Sequence, residues 1–109
     1  MIYFDNSATT LAAPQVLQTY QQVSQDFFGN PSSLHNLGDR AAGLLRQSRR
    51  QIAELIHAKP DEIYFTSGGT EGDNWVIKGT ALAKRQFGKH LITTAVEHPA
   101  VKNSMAQLE

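Results

Sequence analysis

The sequence predicts an α/β domain, on three observations. Two short β-branched and aromatic runs, Ile63-Tyr64-Phe65-Thr66 and Leu91-Ile92-Thr93-Thr94-Ala95-Val96, read as buried strands. Each runs into a loop and then into a stretch with helical apolar spacing. The loops, Ser67-Gly68-Gly69-Thr70 and Glu97-His98-Pro99, hold the residues best suited to chemistry, and in α/β sheets ligands gather beyond the carboxyl ends of strands.

Taken in order, Ile2, Tyr3 and Phe4 form a short extended segment closed by Asp5-Asn6-Ser7. Pro14 suits the first turn of a helix, where its missing N–H costs nothing. Val16, Leu17, Tyr20, Val23 and Phe27 then make one buried stripe, and Gly29 is expected to end it as a left-handed cap. Gly29-Asn30-Pro31-Ser32-Ser33 is a dense cluster of turn formers. A second helix follows, apolar on one face from Leu37 to Ile56 and stopped by Lys59-Pro60. The helix after the glycine loop is expected from about Thr70 to Phe87, with Trp75, Val76 and Leu82 inward, and Gly88 breaks it. Pro99 opens a last helix carrying Val101, Met105 and Leu108. The pattern stops at Glu109 inside that helix with only two internal strands, which reads as the front portion of a longer protein.

A chain of 109 residues allows about one small domain. Ten basic and ten acidic residues cancel, so no net field favours nucleic acid or a membrane surface. Arg46, Arg49 and Arg50 read as a solvated helix face rather than an RNA-binding stripe. There is no cysteine, which excludes a disulfide framework, a thiolate metal site and a cysteine nucleophile within these residues. The amino terminus lacks the pattern of a signal peptide, and no window approaches the roughly 18–20 apolar residues of a membrane span. A soluble cytoplasmic protein is the expectation.

Ser67-Gly68-Gly69-Thr70 can act as an anion cradle, because glycines let a ligand approach the backbone and a helix start offers unpaired N–H groups. The simpler reading of the same spacing is a strand-to-helix turn with Ser67 or Thr70 as N-cap. Glu71 and Asp73 fit the first turn of a helix and argue against a nucleotide loop of the lysine type. No dinucleotide fingerprint is present. His98 can serve as an acid or base, or lay its ring on a flat cofactor; for a lone histidine, a helix-capping or surface role is the simpler reading. His35, His57 and His90 show no metal-ligand spacing, so no metal is expected. Trp75 and the tyrosines are expected in the core.

Four segments, YFDNSATT, FGNPSSLHNLG, FTSGGTEGDNWVIKG and ITTAVEHPAV, together resemble the amino-terminal portion of cysteine desulfurases, pyridoxal-phosphate enzymes of the class V aminotransferase group. The resemblance covers essentially the whole chain. It implies that residues 1–109 are the amino-terminal segment of a pyridoxal-phosphate-binding large domain of the aspartate-aminotransferase-like type, fold type I, helix-rich with few strands. It implies pyridoxal 5'-phosphate as cofactor, with Gly69 and Thr70 on its phosphate. His98 would stack on the pyridine ring and transfer protons. Relatives more often carry alanine at the position of Gly69, and alanine or serine at Gly72; backbone donors do not depend on that side chain. Asp5 to Thr10 and the turn from Asn30 to His35 would lie near the active site or a dimer interface.

The same resemblance implies a parent enzyme converting L-cysteine to L-alanine. Sulfur would pass to an enzyme cysteine and then to an acceptor protein for iron–sulfur clusters or tRNA thiolation, in a cytoplasmic homodimer. The lysine that holds the cofactor, the aspartate on its ring nitrogen and the sulfur-accepting cysteine belong to later parts of the family's chain. Lys59, Lys78, Lys84, Lys89 and Lys102 do not match that lysine's motif. These 109 residues are therefore expected to be catalytically silent alone, with strand edges that invite swapping or aggregation. The alternatives are another class V enzyme, such as a selenocysteine lyase or an aminotransferase, and a small non-catalytic α/β phosphate-binding or interaction module.

Overall fold

The structure, a computed structural model, describes residues 2–109. Among these residues there are four α-helices, α1 (Pro14–Asp26), α2 (Asn36–Leu55), α3 (Gly69–Lys84) and α4 (Pro99–Ala106), with one 3-10 turn at Pro60–Glu62. The chain divides into two compact units, Met1–Ile63 and Tyr64–Glu109.

The expected strands are not formed: among the described residues there is no β-strand. Ile63 does have extended geometry, φ −99° and ψ 122°, and the composition of both segments suits a strand. A strand, however, is defined by its ladder partner, and an extended segment without one gains no cross-strand hydrogen bonds. Composition supplied the local preference but not the partner. The helix-rich character implied by the resemblance is what the structure has.

In the first unit, Pro14 is the first residue of α1 and Ala13 precedes it with extended geometry. The helix closes when the Phe27 N–H donates to the Val23 carbonyl at 2.9 Å. Gly29 is not a left-handed cap, since no glycine among the described residues lies in the left-handed region of φ. Its value is clearance: a Cβ there would lie 2.5 Å from the Leu37 carbonyl oxygen. Gly38 is tighter still, with Ser33 O 2.2 Å from where its Cβ would stand. These two close approaches fold the 30–35 loop back onto the start of α2. Asn30 fixes the loop, its Oδ1 accepting from the Ser32 N–H at 2.9 Å and its carbonyl from the Ser33 N–H at 3.0 Å. The Arg40 guanidinium lies 5.0 Å from the centre of the Phe27 ring, a cation–π contact.

α2 ends at Leu55, before the expected Lys59-Pro60 stop. Its terminator is a Schellman turn: the Ala58 N–H donates to Ala53 O at 2.9 Å and the His57 N–H to Glu54 O at 3.4 Å. His57 takes the left-handed position, φ 55°, that glycine usually fills. Pro60 instead opens the 3-10 turn, closed by the Lys59 N–H donating to Glu62 Oε2 at 2.8 Å.

In the second unit α4 packs against α3. Its buried positions, Ala100 and Ser104, are one turn apart and small enough to let the two backbones approach. The Ser104 hydroxyl donates to the Ala100 carbonyl at 2.7 Å, so its burial leaves no polar atom unpaired. The expected inward residues of α3 are not inward: Trp75, Val76 and Leu82 are all exposed. Helical spacing identified their face but not whether anything covers it. Tyr3, Tyr20 and Tyr64 are exposed as well.

The buried apolar residues are Ala53 and Ala100 alone among the described residues. A fully buried leucine- or phenylalanine-sized side chain contributes about 1.5–3 kcal/mol, and none is buried here. The apolar stripes read from the sequence exist as surfaces, and most of them face outward. No helix among the described residues is long and apolar enough to cross a membrane.

Candidate functional site

The turn into α3 is built by Ser67, Gly68 and Gly69. Gly68 is the N-cap residue and has no side chain to satisfy the first-turn donors. The N–H groups of Gly69, Thr70 and Glu71 accordingly meet no protein acceptor among the described residues. A Cβ added at Gly68 or at Gly69 would find no atom within 4 Å, so the backbone is open to approach. At Gly72 the nearest atom to an added Cβ is Thr66 Oγ1 at 3.9 Å. Alanine would fit at Gly69 and Gly72, in keeping with the substitutions the resemblance implies.

Glu71 does not oppose an anion by lying on those donors. Its Oε2 turns back and accepts from the Ser67 N–H at 2.6 Å and from the Ser67 hydroxyl at 2.7 Å. The backbone bond first, and the hydroxyl second, hold the carboxyl below its ordinary pKa. The Thr66 hydroxyl donates to the Gly68 carbonyl at 3.2 Å and steadies the same turn. Asn74 Nδ2 donates to the Thr70 carbonyl at 2.8 Å. The Thr70 hydroxyl has no protein partner among the described residues, which leaves it available to a ligand.

Beside this turn runs an open groove lined by Ser67, Thr70, Glu71, Asn74, Trp75 and Lys78. The spacing forms two interleaved rows of period four, 67–71–75 and 70–74–78, along one face of α3. The Trp75 and Tyr64 rings meet edge to face, centroids 5.1 Å apart and planes at 68°. One face thus offers backbone donors and a hydroxyl at its head, an aromatic wall, and the Lys78 ammonium two turns on. A helix amino terminus with free N–H groups is suited to a phosphate, and the aromatic wall to a flat apolar body. These residues fit the phosphate end of pyridoxal 5'-phosphate. Lys78 and the Ser67–Glu71 clasp were not singled out by sequence reading, although the period-four spacing was there to be read.

Gly69 and Thr70 lie together at this turn, whereas His98 does not line the groove. His98 is the N-cap residue of α4, its Nδ1 accepting from the Ala100 N–H at 3.1 Å. The simpler sequence reading, a capping histidine, is present in the structure, and the exposed ring keeps its Nε2 edge free. Two bonds fix the approach to it: the Thr94 hydroxyl donates to Glu97 Oε1 at 2.8 Å and Lys102 Nζ to the Ala95 carbonyl at 3.3 Å. His35 caps α2 in the same manner, Nδ1 accepting from the Gly38 N–H at 3.2 Å.

Comparison with known proteins agrees with the resemblance carried by the four motifs. A NifS/IcsS protein homolog of Lactobacillus delbrueckii subsp. bulgaricus is 64% identical over 109 residues, which is 100% of this chain and 28% of that protein. The cysteine desulfurase IscS of Methanosarcina thermophila is 45% identical over 108 residues, 99% of this chain and 27% of its own length. A solved NifS-like protein superposes with a TM-score of 0.91 at 36% identity, over 98% of this chain and 29% of that one. The chain therefore spans somewhat over a quarter of the length of the relatives it matches. The model of the family described as aminotransferase class-V matches residues 2–109, and with nearly every residue accounted for in this way the chain belongs to the class-V aminotransferase family.

Proposed function

We propose that residues 1–109 are the amino-terminal segment of the cofactor-binding domain of a cysteine desulfurase. The enzyme as a whole would convert L-cysteine to L-alanine and deliver sulfur, through an enzyme cysteine, to an acceptor protein. One observation carries this reading: among the described residues the turn at Gly69 and Thr70 has free first-turn donors and an unpartnered hydroxyl, in a chain that aligns over 99–100% of its own length with 27% of the length of proteins named cysteine desulfurase. A cytoplasmic homodimer serving iron–sulfur assembly or tRNA thiolation is part of the same proposal.

In this reading the N–H groups of Gly69, Thr70 and Glu71 and the Thr70 hydroxyl hold the cofactor phosphate. When bound, pyridoxal phosphate supplies the electron sink that the amino-acid chemistry requires. Glu71 keeps its charge off the phosphate by staying clasped to Ser67. The His98 ring would lie against the cofactor and hold a proton at Nε2, the nitrogen its cap bond leaves free. The chain contains no cysteine, so the sulfur-accepting thiol belongs to residues outside it.

The test is a titration of the chain with pyridoxal phosphate, read by the fluorescence of Trp75, the one tryptophan. Saturable quenching is expected, weakened roughly 10- to 100-fold by Thr70→Ala, the worth of one hydrogen bond to a charged group. Quenching that is unsaturable, or indifferent to Thr70→Ala, counts against the phosphate assignment.

A further inference from the structure

Serine, threonine, aspartate and asparagine are the usual helix N-caps, so an imidazole in that role asks for a reason. At α4 the cap bond decides the chemistry of the ring. A backbone N–H can only donate, so the nitrogen it meets at 3.1 Å, His98 Nδ1, must present its lone pair. The neutral ring then carries its proton on Nε2.

We propose that the Ala100 N–H is a positioning group that fixes His98 in its Nε2–H form, so that the ring meets its ligand as a hydrogen-bond donor through Nε2. A proton can be gained only at Nδ1, and only by giving up the cap. Protonated Nδ1 would face Ala100 donor to donor, with a positive charge at the positive end of the α4 dipole. Ala100 is buried, on a helix that packs against α3. Which ligand atom receives the Nε2–H rests on the desulfurase reading; the lock itself does not.

The experiment uses the 15N-labelled chain at mildly alkaline pH. Long-range 1H–15N correlation should show His98 Nδ1 as pyridine-type and Nε2 as pyrrole-type, with scalar coupling from the Ala100 amide nitrogen to Nδ1. In His98→Ala the Ala100 amide should exchange about fivefold faster. In His98→Asn, whose side-chain oxygen can cap, protection should return. A pyrrole-type Nδ1, absence of the coupling, or unchanged exchange in His98→Ala would overturn the proposal. The spectrum of the unaltered chain decides it even if the variants unfold. Failure to bind pyridoxal phosphate would count against the desulfurase reading and leave the lock standing.

Discussion

One carboxylate oxygen of Glu71 accepts two hydrogen bonds from Ser67, at 2.6 Å from the backbone nitrogen and 2.7 Å from the hydroxyl. This clasp turns an acid that looked hostile to an anion into the fastening of the turn that would receive one. Its strength depends on ionisation, because only the carboxylate accepts both bonds well.

The pH dependence follows from the depressed carboxyl. A group whose folded pKa is lowered contributes stability above its ordinary value, here 4.5, and loses it as pH falls through the folded value. The Ser67 amide resonance should therefore titrate with a midpoint below 4.5, and its hydrogen exchange should quicken over the same range. Glu71→Gln should remove the titration while keeping one acceptor. A midpoint at or above 4.5 would mean that the clasp is not held in solution.

Two glycines should answer oppositely to alanine. Gly38→Ala places a Cβ 2.2 Å from Ser33 O and 2.8 Å from Asn30 O, both backbone atoms that cannot step aside cheaply. A loss of about 1–3 kcal/mol is expected. Gly69→Ala meets open space inside the first turn of α3 and should be neutral or stabilising by up to about 1 kcal/mol. Denaturant melts of the two variants check the contrast. Equal losses would mean that the 30–35 loop does not press on α2.

His57 holds a left-handed residue at the end of α2 with φ 55°. The conformation costs a residue bearing a Cβ about 1–2 kcal/mol, which glycine avoids. His57→Gly should raise stability by roughly 1 kcal/mol, less the added entropy of the unfolded chain. Far-ultraviolet melting reads this directly, and a lower midpoint would assign His57 a contact that outweighs its backbone strain.

Much of this was legible in sequence, and the rest for reasons that can be named. Pro14 and Pro99 marked two helix starts because a proline at the first position loses no hydrogen bond. Gly69 and Thr70 were assigned to a phosphate only through the resemblance, since the spacing alone describes a capped strand-to-helix turn equally well. The role of Gly29 was missed because clearance against Leu37 is a contact between distant residues, whereas a left-handed cap is local. The strands at 63–66 and 91–96 were misjudged because β propensity describes a segment and pairing describes two. Trp75 was placed inside because period 3.6 shows which residues share a face, not what lies opposite. The His98 cap was readable as the simpler alternative, but its tautomer needed the distance to Ala100.

Trp75, Val76 and Leu82 are exposed along α3, and under the proposed reading the rest of a cysteine desulfurase would cover that apolar surface. The direct test replaces the matching segment of the Methanosarcina thermophila cysteine desulfurase IscS with residues 1–109 and measures alanine released from L-cysteine. Alanine should be released by the chimera, fall roughly tenfold or more with Thr70→Ala, and be undetectable from residues 1–109 alone. A chimera that folds and loads pyridoxal phosphate yet releases no alanine, where the parent does, would contradict the account.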